Sequence, residues 1–187
     1  RWIAPAALAL LLLPALALAA GNGKLQIHHI DVGQADGILI ISPLGETALV
    51  DDGTYTDCSG IHNYLDGLGI TSVKYHFCSH YHSDHLGCID DLASAGITIS
   101  TAGYDRGGSY SSSMYTAYVN TLGSKRTTIS TGQTITLDAS ATYPVYIKCI
   151  RYGAATSDEN SNSMVIKVSY GAFDEVMGSD LTSSYES

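Results

Sequence analysis

The chain has 187 residues, 45% of them hydrophobic, and a formal net charge of −9 at pH 7. That length and apolar content suit one globular domain with a sizeable core. The acidic charge argues against tight, nonspecific binding of a nucleic acid by charge alone, although a metal site would still hold a single phosphodiester.

The first 20 residues predict a signal peptide. The segment from Ile3 to Ala20 is almost wholly alanine and leucine, and small residues follow the Ala17-Leu18-Ala19 pattern that is typical of cleavage sites. A membrane anchor is the alternative, because a segment of this length just spans a bilayer, but Pro14 and the cleavage pattern favour removal. We therefore expect a secreted or periplasmic protein without a stable membrane anchor, whose single domain is 21–187.

Four cysteines, Cys58, Cys78, Cys88 and Cys149, are available for disulfides in an exported protein. Three full pairings are open, and the sequence does not choose among them. Cys78 and Cys149 lie in apolar runs, where buried thiols are as well accommodated as disulfides. Cysteine is the least favoured metal ligand, because the chain has no Cys-x-x-Cys spacing.

Two groups of predicted strands alternate with helices along the chain. Apolar runs predict strands, and the spacing of Ile61, Leu65 and Leu68 predicts an amphipathic helix that ends at Gly69. Up to this helix and the strand after it, the predicted elements are strands Leu25–Val32, Gly37–Ile41 and Thr47–Val50, helix Ser59–Leu68, and strand Val73–Cys78. After them we predict helix Leu86–Ala95 with Ser83 or Asp84 as its cap, strand Ile97–Ile99, helix Met114–Leu122, β-structure over 129–150, and strands Met164–Ser169 and Phe173–Met177. This order predicts an α/β sandwich.

The densest chemical signal is His80-x-His82-x-Asp84-His85, directly after a predicted strand. In extended chain, His80 and His82 point to the same side, so two ring nitrogens converge. A turn before the next helix would bring Asp84 and His85 toward a second point nearby. Imidazole and carboxylate together suit zinc or a similar divalent ion, and paired ions in hydrolases lie about 3.5–4 Å apart. The alternative is a histidine-rich surface turn.

This motif resembles the signature of the metallo-β-lactamase-fold hydrolases. Ile30–Gly37 is similar to the Asp-Val-Gly-Gln-Gly-Asp turn of the branch that includes the competence (DNA-uptake) proteins and the secreted phosphorylcholine esterases. Leu49–Gly53 resembles the family's Asp-Gly turn, and Glu159–Met164 with Met177–Leu181 resembles that branch's Asn-Ser strand and Gly-Asp turn. The resemblance implies a four-layer αβ/βα sandwich with a two-metal site at the sheet edges.

Carried over residue by residue, the resemblance assigns the ligands and the reaction. His80 and His82 hold a first ion, Asp84 and His85 hold a second, and Asp180 bridges both. Two Zn²⁺ are implied, with Mn²⁺ as the alternative. Asp84 would orient the attacking water or take its proton, as a catalytic residue. The implied reaction is hydrolysis of a phosphoester or phosphodiester; the alternatives are a β-lactamase or other ester hydrolase, and an inactive binding module that keeps the fold.

Five further residues are candidates for supporting roles. Asp51 would hydrogen-bond the metal loop or be an ordinary turn acid. Asp31, Gln34 and Asp36 would contact the substrate or the ligands, or simply cap a turn between two strands. Asn160 belongs to the Asn-Ser stretch that the branch has where other members place a histidine.

No histidine follows His85 in the chain. Members of the family also use a histidine well beyond the turn that carries Asp180. The resemblance therefore predicts that the domain lacks its C-terminal part here, namely a last strand, a helix and one histidine of the metal site.

Overall fold

The computed structural model describes residues 21–151 and 156–186, so the predicted signal peptide lies outside the described part. The strands of this part are β1 Gln26–His29, β2 Ile38–Ile41, β3 Thr47–Val50, β4 Ser72–Phe77, β5 Thr98–Asp105, β6 Arg126–Thr128, β7 Thr134–Leu137, β8 Val145–Arg151, β9 Val165–Tyr170 and β10 Phe173–Met177. The helices are α1 Ser59–Gly67, α2 Ile89–Ser94 and α3 Ser113–Leu122, and short 3₁₀ turns cover Gly123–Lys125, Asn160–Asn162 and Ser183–Tyr185.

The first sheet has six strands in the order β1-β2-β3-β4-β5-β6. Strands β1 to β3 are antiparallel, and β3 to β6 are parallel. Because the carboxyl ends of parallel strands meet at one edge of a sheet, the loops after β3 and β4 emerge side by side. This arrangement brings the Asp51 turn next to the histidine loop.

The second sheet is antiparallel, in the order β10-β9-β8-β7. Its strands β8 and β9 face the first sheet and share a core with it, in which Val50 and Phe77 pack with Ile147 and Val168. The other face of the first sheet packs on the three helices. The described part thus has three layers, and none of its helices covers the outer face of the second sheet.

Helix α2 begins later than the sequence predicts. The expected start at Leu86 with Ser83 or Asp84 as cap is wrong, because residues 83–85 form a turn and the helix begins at Ile89. The side chain of Asp52 accepts a hydrogen bond from the backbone N–H of Cys88 at 2.6 Å. A carboxylate from another loop therefore accepts the backbone N–H at the start of the helix, where the sequence predicts a capping residue from the same loop.

Strand β5 is longer than the predicted 97–99, since it continues to Asp105. Its polar and glycine residues gave no strand signal, yet it pairs with β4 on one side and β6 on the other. Pairing on both sides overrides the weak propensity of the segment. The predicted helix Met114–Leu122 and strand Phe173–Met177 are confirmed.

Over residues 21–151 and 156–186, no helix combines the length and the apolar character needed to cross a bilayer. A disulfide joins Cys58, just before α1, to Cys88, just before α2. It closes a loop with a sequence separation of 30, which in the chain-entropy model stabilises the fold by roughly 3–4 kcal/mol. Cys78 and Cys149 are free thiols, and both are buried.

Candidate metal centre

Five loops meet at one edge of the two sheets and bring most of the predicted site residues together. The loop between β4 and α2 carries the whole histidine motif. The other loops follow β1, β3 and β10 or precede β9. Their contributions are Asp36 after β1, Asp51 after β3, Asp180 after β10 and Asn160 before β9.

Three imidazoles form the centre of this cluster. Nε2 of His80 lies 3.1 Å from Nδ1 of His82, and the ring centroids of His80 and His85 are 4.1 Å apart. Residues 80–82 form bends rather than extended chain, yet the nitrogens of His80 and His82 converge. Two nitrogens bound to one tetrahedral zinc ion lie about 3.3 Å apart, given Zn–N distances of about 2.0–2.1 Å. The spacing of this pair therefore fits two ligands of one ion.

His85 is surrounded by carboxylates. Its Nδ1 lies 2.8 Å from Asp51 and 3.8 Å from Asp36, while its Nε2 lies 3.7 Å from Asp180 and 4.0 Å from Asp84. Four carboxylates around one imidazole leave an excess of negative charge even when the ring is protonated. A divalent cation would balance that excess.

Asp51 connects His85 to the backbone of the histidine loop. Its carboxylate accepts hydrogen bonds from the N–H and hydroxyl of Ser79, both at 2.7 Å, and Nδ1 of His85 lies 2.8 Å away. The hydroxyl of Ser79 also pairs with that of Ser179 at 2.8 Å. Asp51 and Ser179 both have φ near +50°, a region that is costly for residues other than glycine. Sequence reasoning missed the hydroxyl pair, because it joins residues 100 positions apart.

The surroundings give His80 and His85 opposite charge states. Burial, together with the positive charges of His85 and Arg106, lowers the pKa of His80 to about 2, so this ring is neutral with a lone pair to donate. Burial also lowers the pKa of His85, but the hydrogen bond and charge of Asp51 outweigh it and raise the pKa to about 9. Burial and the charge of Asp51 likewise raise the pKa of Asp36.

The donor set fits a metal. Donor atoms of His80, His85 and Asp180 lie within 4.8 Å of one another, as do those of Asp36, Asp51 and His85. Oδ1 of Asn160 is buried beside His80. Nitrogen and carboxylate donors in this arrangement suit zinc, manganese or iron. The division of the ligands between two ions stays a prediction.

Two residues of the sequence prediction lie apart from the cluster. In residues 21–151 and 156–186, no hydrogen bond joins Asp31 or Gln34 to it: Asp31 accepts a bond from the N–H of Gly33 within its own turn, and Gln34 is exposed. A further histidine just before the motif, His76, lies within β4, where its Nε2 is 3.0 Å from the buried carboxylate of Asp52.

No family model matches the chain, and no curated protein matches it. Solved structures do. SMB-1, a metallo-β-lactamase bound to 2-mercaptoethanesulfonate, is 19% identical with a TM-score of 0.53, over 75% of this chain and 54% of that one. YhfI from Bacillus subtilis, a metallo-β-lactamase fold protein, is 18% identical with a TM-score of 0.54, over 83% and 62%. The chemotaxis sensor ODP, in a peroxy diiron species, is 14% identical with a TM-score of 0.51, over 78% and 55%.

The chain has a metallo-β-lactamase fold. The predicted α/β fold class is confirmed, and the described residues contain three of the four expected layers. The chain spans little more than half the length of SMB-1 and of the chemotaxis sensor. At 14–19% identity, these likenesses show the metallo-β-lactamase fold and not its branch, so the competence-protein and phosphorylcholine-esterase branch stays a prediction.

Proposed function

We propose that the protein is an exported metal-dependent hydrolase that cleaves phosphoesters. The observation that carries the proposal is the cluster of three imidazoles and several carboxylates with ligand spacing, at the edge of two sheets with a metallo-β-lactamase fold. Phosphoesters are favoured over other esters because the turn at residues 30–37 resembles that of the competence-protein and phosphorylcholine-esterase branch. In support, the backbone N–H of Asp36 donates to the carbonyl of Asp84 at 3.2 Å, so this turn is joined to the histidine loop.

In this reaction the chain would provide fixed ligands and one proton acceptor, Asp84. His80 and His82 would donate nitrogens to one ion. His85, oriented by Asp51, would release its Nε2 proton and donate that nitrogen to the other ion. A bound pair of divalent ions supplies an activated water and stabilises the negative charge that develops on the substrate. Asp84 is partly exposed beside these ligands, so a carboxylate oxygen is free to orient that water or take its proton.

Export is supported by the disulfide between Cys58 and Cys88. Disulfides persist in the periplasm and outside the cell, whereas the cytosol keeps thiols reduced. The apolar segment of residues 1–20 gives an independent reason for the same proposal.

A second candidate function is β-lactam hydrolysis, because SMB-1 and several other structures of similar TM-score are named as metallo-β-lactamases. Both candidates require the same metal ligands, and they differ in the substrate. The third reading, an inactive binding module that keeps the fold, requires no bound metal.

The first experiment measures zinc, manganese and iron by plasma mass spectrometry in protein purified without chelator. About two ions per chain are expected. A metal content near zero, with no uptake of added zinc, would contradict the proposal and favour the inactive binding module.

The second experiment offers three substrates to one zinc-loaded preparation: bis-nitrophenyl phosphate, nitrophenyl phosphorylcholine and nitrocefin. We expect turnover of a phosphoester, and turnover of nitrocefin alone would replace this substrate class by β-lactams. The variant His82→Ala removes the nitrogen next to Nε2 of His80 and should abolish whichever activity appears. The variant His62→Ala is a matched control, because His62 lies in α1, outside the cluster.

A further inference from the structure

A network of buried polar groups lies behind the histidine loop and has no role in the reaction described above. It is centred on Glu159, which is 7% exposed, on the segment before β9. Its Oε1 accepts hydrogen bonds from the backbone N–H of Tyr81 at 2.9 Å and from Nε of Arg106 at 3.0 Å. Its Oε2 accepts from Arg106 at 2.7 Å and from Nδ2 of Asn162 at 3.1 Å.

Tyr81 stands between His80 and His82, so any shift of its peptide moves both imidazoles. Its ring is fully buried, the guanidinium of Arg106 lies 4.2 Å from the ring centroid, and its hydroxyl donates to the carbonyl of Gly107 at 2.8 Å. Both the side chain and the N–H of this residue are therefore fixed, the second of them by Glu159.

The same segment holds the loop at a second point. The backbone N–H of Met164 donates to the carbonyl of Ser79 at 2.8 Å. The two anchors, at Ser79 and Tyr81, flank His80 on either side. Glu159 holds the backbone of Tyr81 through its side chain, whereas the bond from Met164 joins backbone atoms.

We propose that Glu159 is a positioning residue, which holds His80 and His82 in ligand geometry through the N–H of Tyr81. The inference rests on the proposed metal site. Arg106 in turn orients the carboxylate, because its fork fixes both oxygens at once. Partners behind metal-ligating histidines typically change metal affinity by about 10–100-fold when they are replaced.

The test compares zinc dissociation constants of the full chain and its variants by competition with a chromogenic chelator. Glu159→Gln keeps the size of the side chain, but its single oxygen cannot replace both Oε1, which serves Tyr81, and Oε2, which serves Asn162. It should therefore raise the zinc dissociation constant about tenfold. Glu159→Ala removes both acceptors and should raise it about a hundredfold. The visible spectrum of bound cobalt should change in both variants, because it reports ligand geometry.

Asp138→Asn is the matched control. Asp138 is a buried carboxylate that accepts hydrogen bonds from Ser42 and Leu44, at the turn where β3 begins and thus away from the site end of that strand. Its dissociation constant should stay within about twofold of the wild type, even where its melting temperature falls as far as that of Glu159→Gln. A change caused by destabilisation alone would appear in the control as well.

Three outcomes decide the matter. If the wild type binds zinc and Glu159→Gln binds it equally well, Glu159 is not a positioning residue and the metal site stands. An equal loss of affinity in the Asp138→Asn control would also overturn the positioning role. If the wild type binds no zinc, cobalt or manganese, the metal site and the inference fail together. Glu159→Gln alone decides the question if Glu159→Ala does not fold.

Discussion

Replacing Asp51 by asparagine should weaken both metal binding and the stability of the fold. The carboxylate accepts from the N–H and hydroxyl of Ser79 and contacts Nδ1 of His85. Asparagine tolerates the left-handed φ of 54° at this position and keeps one acceptor, which the N–H of Ser79 would use. The amide nitrogen then faces His85, where a donor now meets Nδ1.

The consequence is a change of tautomer. With a donor opposite Nδ1, the neutral ring of His85 carries its proton on Nε2, the nitrogen that lies 3.7 Å from Asp180 and would bind the ion. Loss of the orienting carboxylate should weaken zinc about 10–100-fold, or by about 1.4–2.7 kcal/mol. The free energy of unfolding of the metal-free protein should fall by about 2–3 kcal/mol, since each charged hydrogen bond that becomes neutral loses about 1 kcal/mol.

Asp138→Asn serves as the control here as well. Asp138 is buried, has φ of 52°, and accepts from a serine hydroxyl and a backbone N–H, as Asp51 does. Its unfolding free energy should fall by a similar amount, about 2 kcal/mol, while its zinc affinity is unchanged. Zinc competition, chemical denaturation and the ¹⁵N shifts of the His85 ring measure these effects. Equal zinc affinity in Asp51→Asn and the wild type, or an equal loss in both variants, would refute the reasoning.

Two further predictions concern the packing of the histidine loop and the thiols. Gly87→Ala should unfold more readily by more than about 2 kcal/mol and bind zinc more weakly, because an added Cβ would lie 2.2 Å from the carbonyl oxygen of Ser83. Gly67→Ala, at an open helical position, should instead stabilise the protein by roughly 0.5–1 kcal/mol, as thermal melting will show; a loss of stability there would contradict the argument. Burial raises the pKa values of the Cys78 and Cys149 thiols, so Ellman's reagent should find no reactive thiol in the native protein. It should find two thiols after denaturation, and four after denaturation and reduction of the disulfide. Reaction of the native protein would refute the burial of these thiols.

The central residues of the candidate site could be proposed from the sequence because they are close together in the chain. His80, His82, Asp84 and His85 lie within six residues after an apolar strand, so a local pattern carries the signal. The fold class follows from the order of strands and helices. Asp180, in contrast, was assigned to the site only through the family resemblance. No local sequence pattern connects it to a loop about a hundred residues earlier in the chain.

The interactions that the sequence did not predict are those between distant loops. The start of α2 depends on Asp52, and the length of β5 depends on pairing with strands on both sides. The pairing of Cys58 with Cys88 was one of several arrangements that spacing alone allowed. The hydrogen bond from the N–H of Tyr81 to Glu159 joins residues 78 positions apart. A local sequence pattern does not predict such contacts, because they arise only when the sheets have formed.

The histidine loop is held mainly through its backbone and its flanking residues, and this arrangement leaves Nε2 of His85 available to an ion. Asp51 holds Ser79, Glu159 holds Tyr81, and the disulfide holds Cys88, so partners are attached before, within and after the motif. None of these partners uses Nε2 of His85. A site fixed in this way pays little conformational entropy when an ion arrives, since the ligands are already close to their bound positions. The left-handed backbone conformations of Asp51 and Ser179 are then local strain, whose cost is offset because these residues help to keep the ligands in place.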